Sequence, residues 1–209
     1  FYTPQQVCTV NSTSRSPEKP RLVMDQLMSG SFAADISIHD DFPPFDNLEF
    51  LIAHETSYIE SFFAGELINN AGIKVPNHPV TDLPLEELHK IFSVNFFGQW
   101  HAASIFGKRM IEQGTPASIY NVGSELSFFS SVPNATAYMA TKHAILGLTE
   151  GLREEMPEFI NVGLIVPGFV GTEMHTAEAA AMGMNADQFA TVVMPQIRAS
   201  ERFVVSHAF

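Results

Sequence analysis

Basic side chains are scarce in this sequence. Only 11 Lys and Arg stand against 23 Asp and Glu among 209 residues, a formal net charge of −12. A nucleic-acid partner needs a basic surface to neutralise its phosphates, and adsorption to an anionic membrane needs the same, so both are disfavoured. Cysteine is almost absent: the lone Cys8 cannot build an intramolecular disulfide framework and fits a reducing cytoplasm. No apolar run approaches the roughly 20 residues that cross a bilayer. The opening stretch FYTPQQVCTV has neither the basic nor the apolar segment of a secretory signal. It also lacks an initiator Met, so residues upstream of Phe1 are expected. These absences lead to an expected cytoplasmic protein that works on a small molecule, without nucleic acid or membrane.

Two common catalytic patterns are missing as well. His54-Glu55 is followed by Thr56, Ser57 and Tyr58 and so is not a zinc-binding H-E-x-x-H. The loop residues His39, Asp40 and Asp41 read as solvated surface, and no metal site is expected. Around Ser124 the glycines of a G-x-S-x-G nucleophile turn are not in place.

What the sequence does contain is an alternation of strands and helices in a length that suits one domain, taken as residues 1–209. Short β-prone runs occur at residues 6–10, 32–38, 66–73, 116–124, 160–170 and 202–208. Between them lie amphipathic helical stretches at 21–30, 45–65, 84–114, 137–156 and 187–200. Helices long enough to be crossovers imply an α/β fold: a single doubly wound parallel sheet with helices on both faces. In such sheets the ligand crevice lies beyond the C-terminal ends of the strands. The segments NNAG, NVGS and PGFVGT each fall where a strand is expected to end.

Tyr138 and Lys142 stand four positions apart at the start of a helical stretch, so they share one helix face. An unperturbed tyrosine ionises near pH 10, roughly 4 kcal/mol away from serving as a base at neutrality. A lysine ammonium beside the phenol favours the phenolate and narrows that gap.

With these residues in view, the sequence resembles a short-chain dehydrogenase/reductase. Four motifs arrive in that family's order: NNAG at residues 69–72, Val94-Asn95, Ser124 ahead of YMATK at 138–142, and PGFVGT at 167–172. The resemblance implies a Rossmann-like fold and an NAD- or NADP-dependent oxidoreductase interconverting a secondary alcohol and a ketone. It implies that Tyr138 is the acid/base and that Lys142 tunes it and binds the nicotinamide ribose. Ser124 anchors the substrate oxygen, and Asn95 kinks its helix and supports a proton relay. The spacing from Ser124 to the tyrosine is one longer than usual in the family, read as one residue inserted in SELSFFSSVPNATA. The later serines, Ser127, Ser130 and Ser131, read as loop residues, and His143 as structural. Asn70, Ala71 and Gly72 are expected to pass the cofactor's adenosine side. Pro167, Gly168, Val170 and Thr172 are expected around the nicotinamide and phosphates, with Tyr138 and Lys142 completing the cofactor contacts.

The resemblance further implies a substrate lid at residues 173–190. Its Met and Ala content, with Phe128 and Phe129, points to a hydrophobic or aromatic alcohol. Relatives pair long helices with a partner's, so a homodimer or homotetramer is expected, with Phe92, Phe96, Phe97 and Trp100 suited to the contact.

One part of the pattern breaks. The family's glycine-rich turn after the first strand is replaced by NSTSRSPE, residues 11–18, which contains no glycine. The passage from there to Asn69 is short by about one strand–helix unit, so the first βαβ unit is expected to be shortened or incompletely represented. The residue that separates NAD from NADP falls in that passage. The break leaves two alternatives: a catalytically silent scaffold that has lost its phosphate site, or a dehydratase or epimerase using the same side chains.

Overall fold

The structure is a computed structural model, and it describes residues 7–10, 65–130, 132–172 and 174–207. The expected elements at 21–30, 32–38 and most of 45–65 lie outside the described residues, as do the segment 11–18, residues 39–41 and His54.

Among the described residues five parallel strands form one sheet in the order β1-β2-β3-β4-β5: Val7–Val10, Glu66–Asn69, Ala117–Val122, Ile160–Val166 and Phe203–Val205. The central strands are covered on both faces, and β4 accordingly reads INVGLIV, almost continuously apolar rather than alternating. Register follows the sequence motifs. Asn69 lies opposite Asn121, and Val122 opposite Ile165, so the polar segments after β2, β3 and β4 emerge along one edge.

Helices lie on both faces, as the alternation predicts. On one face α2 (Gln99–Gln113) and α3 (Thr136–Glu155) cover the sheet. There Ala103, Phe106, Met110 and Leu152 pack against Leu67, Ile119 and Val162. In α3 the buried positions Ala137, Thr141, Ile145, Thr149 and Leu152 recur at helical spacing and form the stripe turned to the core. On the other face α5 (Ala186–Arg198) sets Val193 and Ile197 against Tyr120, Val122, Ile165 and Val204. A short α4 (Ala177–Ala180) precedes it. The Asn185 side chain caps α5 by accepting from Gln188 N at 2.8 Å.

The single helix expected over 84–114 is divided. It runs as α1 (Leu85–Phe92), then a π-helical turn (Ser93–Gly98), then α2. Gly114 ends α2 at φ +64°, a left-handed conformation that glycine adopts without a Cβ penalty. Of the aromatics in this region, Phe96 packs on the Ile145–Leu164–Val166 cluster, whereas Trp100 is half exposed. No helix among the described residues is long and apolar enough to cross a membrane.

Candidate active site

The first turns of α3 bring Tyr138 and Lys142 to the strand-end edge, where the Lys142 ammonium donates to Val122 O at 2.9 Å. Lys142 is buried, with 4% of its surface exposed, and its ammonium makes no other hydrogen bond among the described residues. An ammonium has three donors, so two remain for a ligand. Burial brings its pKa from 10.5 down to about 8. Nζ stands 5.5 Å from the centre of the Tyr138 ring.

Tyr138 does not behave as its neighbour alone predicts. Burial of the phenol outweighs the other influences and pushes its pKa up to about 12. A hydrogen bond with the Ser124 side chain pulls the other way, and the Glu125 carboxylate adds to the rise. The expected lowering by Lys142 is therefore corrected: in this structure desolvation prevails, and the phenol holds its proton at neutral pH.

Ser124 follows β3 and caps a short 3₁₀ turn, Glu125–Ser127. Its Oγ accepts from Leu126 N at 3.1 Å. That uses acceptor capacity and leaves the hydroxyl proton available to donate toward Tyr138 or a substrate oxygen. The turn is tied to the end of β4, since Glu125 N donates to Pro167 O at 2.9 Å.

Asn95 sits inside the π-helical turn and is completely buried. Its Oδ1 accepts from Ile73 N at 2.7 Å, and its Nδ2 donates to Ile73 O at 3.0 Å and Thr141 Oγ1 at 3.2 Å. Thr141 in turn donates to Tyr138 O at 2.7 Å. Asn95 thus joins the segment after β2 to the helix that carries Tyr138 and Lys142. The π turn makes this possible by shifting the helix register locally.

Of residues 70–72, Ala71 is buried and its carbonyl accepts from Gln99 Nε2 at 3.5 Å, while Asn70 is exposed. A Cβ placed at Gly72 would lie 3.5 Å from Asn95 Oδ1 and 3.8 Å from Lys142 Nζ. Glycine therefore leaves an open space beside the lysine. Gly168 N donates to Ser206 Oγ at 3.1 Å, next to the end of β5. Val170 bridges Met184, and Thr172 Oγ1 accepts from Met174 N at 3.4 Å, so both hold the segment that follows.

The Phe128 ring meets Phe203 of β5 edge-on, with centroids 5.9 Å apart. His143 is exposed and contacts Met139 O through Nδ1 at 2.9 Å, a local helix contact as expected. Three residues had no site role in the sequence reading: Gln99 lies outside every motif, Thr141 sits inside YMATK, and Ser127 stands among the serines read as loop, yet all three are buried beside the site and bonded to it. Among the described residues no three His, Cys, Asp or Glu converge to hold a metal ion.

Comparison with known proteins identifies the family. The family pattern described as short chain dehydrogenase matches residues 8–183. The chain is 33% identical over 125 residues to a 1-deoxy-11-beta-hydroxypentalenate dehydrogenase of Streptomyces arenae, covering 57% of this chain and 44% of that protein. It is 34% identical over 109 residues to an L-2,3-butanediol dehydrogenase of Corynebacterium glutamicum, covering 52% and 42%. The matched region thus spans less than half the length of these relatives. Among solved structures, a short chain dehydrogenase/reductase from Burkholderia phymatum in complex with NAD superposes with a TM-score of 0.77. That match has 19% identity and covers 99% of this chain and 90% of the other, a likeness of fold.

Proposed function

The chain belongs to the short chain dehydrogenase family, and from that premise we propose that it is an NAD(P)-dependent oxidoreductase interconverting a secondary alcohol and a ketone. The observation that carries this reading is the buried Lys142 ammonium beside Tyr138, with the Ser124 hydroxyl bonded to the same phenol.

The residues present fit the nicotinamide half of such a cofactor. Lys142 has donors to spare, and the absent side chain at Gly72 leaves room beside them. Lys142, Tyr138, Pro167, Gly168, Val170 and Thr172 would hold it, with residues 70–72 toward the adenosine side. When bound, the nicotinamide supplies or accepts the hydride. In ketone reduction Ser124 and Tyr138 donate hydrogen bonds to the substrate oxygen, and Tyr138 then gives it a proton. A phenol held near pKa 12 is protonated at neutral pH and ready for this direction. In alcohol oxidation the proton moves back to a Tyr138 oxygen whose negative charge Lys142 and Ser124 stabilise. Surrounding bonds keep this arrangement fixed: Val122 O holds the ammonium, and Thr141 and Asn95 brace the helix.

Exposed Met174, Met182 and Phe169 line the segment after β4 and favour a hydrophobic substrate. A homo-oligomer is part of the same proposal, with half-exposed Trp100 on its contact surface.

The test is a fluorescence titration with NADH and NADPH, followed by turnover on a panel containing acetoin, 2,3-butanedione, cyclohexanone and acetophenone. Saturable cofactor binding and carbonyl reduction that Tyr138→Phe abolishes are the expected result. The glycine-free segment at 11–18 favours one rival, a catalytically silent scaffold. Absence of binding at millimolar cofactor would select that rival.

A further inference from the structure

Ser127 is a residue that the motif pattern passes over, yet it is completely buried beside the site. Its hydroxyl is used in both senses. Oγ accepts from Ser124 N at 3.1 Å and donates to Lys142 O at 2.8 Å. The first bond closes a reciprocal capping box, because the Ser124 hydroxyl accepts within the same turn. The second reaches out of the turn to the backbone of α3 at the residue that carries the ammonium. There is little slack around it. A Cβ added at Gly123 would come within 2.8 Å of Ser127 Oγ, so the turn lies tight against the strand end.

We propose that Ser127 is a positioning residue for the reaction: its hydroxyl ties the Ser124 turn to the helix bearing Tyr138 and Lys142, and so fixes the distance between Ser124 and Tyr138. The inference rests on the oxidoreductase reading above. Ser124 and Tyr138 belong to separate elements joined by a loop, and both must address one substrate oxygen. A hydrogen bond falls off steeply with distance and angle, so a turn released from the helix would lose its donation before the fold is lost. The single hydroxyl of Ser127 is the direct side-chain link between the Ser124 turn and the backbone of Lys142.

The test compares Ser127→Ala, Ser127→Thr and Ser124→Ala in the full chain, with 2,3-butanedione as carbonyl probe and 2,3-butanediol for the reverse direction. In Ser127→Ala we expect kcat to fall roughly tenfold, the scale of one lost hydrogen bond to a reacting group. NAD(P)H affinity by fluorescence should stay within about twofold, since the lysine itself is untouched. The rising limb of the oxidation pH profile should move to higher pH, because a loosened Ser124 no longer pulls the Tyr138 pKa down. Ser127→Thr, which keeps the hydroxyl, should retain most of the rate. A folded Ser127→Ala with wild-type kcat and pH profile would overturn the inference. So would a rate loss that only tracks the folded fraction, or a folded Thr variant as impaired as the Ala variant. Those outcomes leave the oxidoreductase reading standing if Ser124→Ala is impaired. A wild-type chain that binds cofactor but reduces no carbonyl would remove both.

Discussion

Lys142 Nζ lies 5.5 Å from the ring centre of Tyr138, one turn along the same helix face, with its positive charge buried beside a phenol that keeps its proton. The two side chains differ in what their removal should do. Tyr138→Phe deletes one oxygen and leaves the lysine's donors in place. Its kcat should fall by about 10²- to 10⁴-fold, the usual contribution of a positioned proton donor, with cofactor affinity reduced far less than in Lys142→Ala. Lys142→Ala should weaken cofactor binding as well as turnover. Paired fluorescence titrations and steady-state rates separate the two, and equal loss of affinity in both variants would contradict these roles.

The buried ammonium also costs stability. Its pKa falls from 10.5 in the open chain to about 8 in the fold, so the unfolded state binds more protons between those values. Stability from this group therefore rises as pH climbs from about 8 to 10.5, and the full cost is present below 8. At 1.36 kcal/mol per unit that cost is about 3 kcal/mol. Lys142→Met, which keeps the length and removes the charge, should be more stable than wild type at pH 7 and should lose that advantage by pH 10.5. Tyr138 acts in the opposite sense: its raised pKa means that stability is lost as pH rises from 10 through about 12. Urea denaturation at pH 7 and pH 10 measures the first effect. Equal stability of wild type and Lys142→Met at pH 7 would show that the ammonium is better solvated than its 4% exposure implies.

Much of this site was readable from residue order. Strand ends could be placed because apolar runs stop abruptly at NNAG, NVGS and PGFVGT, and four-residue spacing on a helix puts Tyr138 and Lys142 on one face. The π turn at Ser93–Gly98 was legible only as the kink at Asn95 that the resemblance implies, since a continuous apolar stripe has the same appearance with one residue added to a turn. The direction of the Tyr138 pKa was not legible: the sequence shows the neighbouring charge but not the burial that outweighs it. Ser127 looked like one serine among several in a loop, because its bond to Lys142 O exists only once the turn meets the helix. Asn69 was legible as a turn residue, but it closes β2 and donates across the sheet to Asn121 at 2.7 Å.

Asn95 is where the site and the fold depend on the same atoms. Its amide satisfies both Ile73 N and Ile73 O and reaches Thr141, all in a fully buried position. Asn95→Ala leaves these partners without a replacement, and a buried unsatisfied group costs about 1–3 kcal/mol. The variant should lose roughly 2–4 kcal/mol in urea denaturation, with cofactor affinity falling too because the segment next to Gly72 is released. A stability loss below about 0.5 kcal/mol would mean that water or a rearranged backbone replaces the amide.

Gly171 tests the segment after β4 without touching the proton-transfer residues. Its N–H donates to Met184 O at 2.8 Å while Val170 bridges Met184, so the two limbs of this segment are held backbone to backbone. A Cβ at Gly171 would lie 2.1 Å from Ala180 O. That atom is backbone, so the limbs must separate. The helix between them, α4, has no buried residue, so little core packing is lost when they do. Gly171→Ala should therefore lower Tm by only a few degrees, on the scale of about 1 kcal/mol. If the segment covers the substrate, KM for the carbonyl should rise about tenfold or more while kcat at saturation changes little, the pattern of lost uniform binding. A wild-type KM alongside the same small Tm shift would show that this segment does not contact substrate, and residues 173–190 would lose the role of lid.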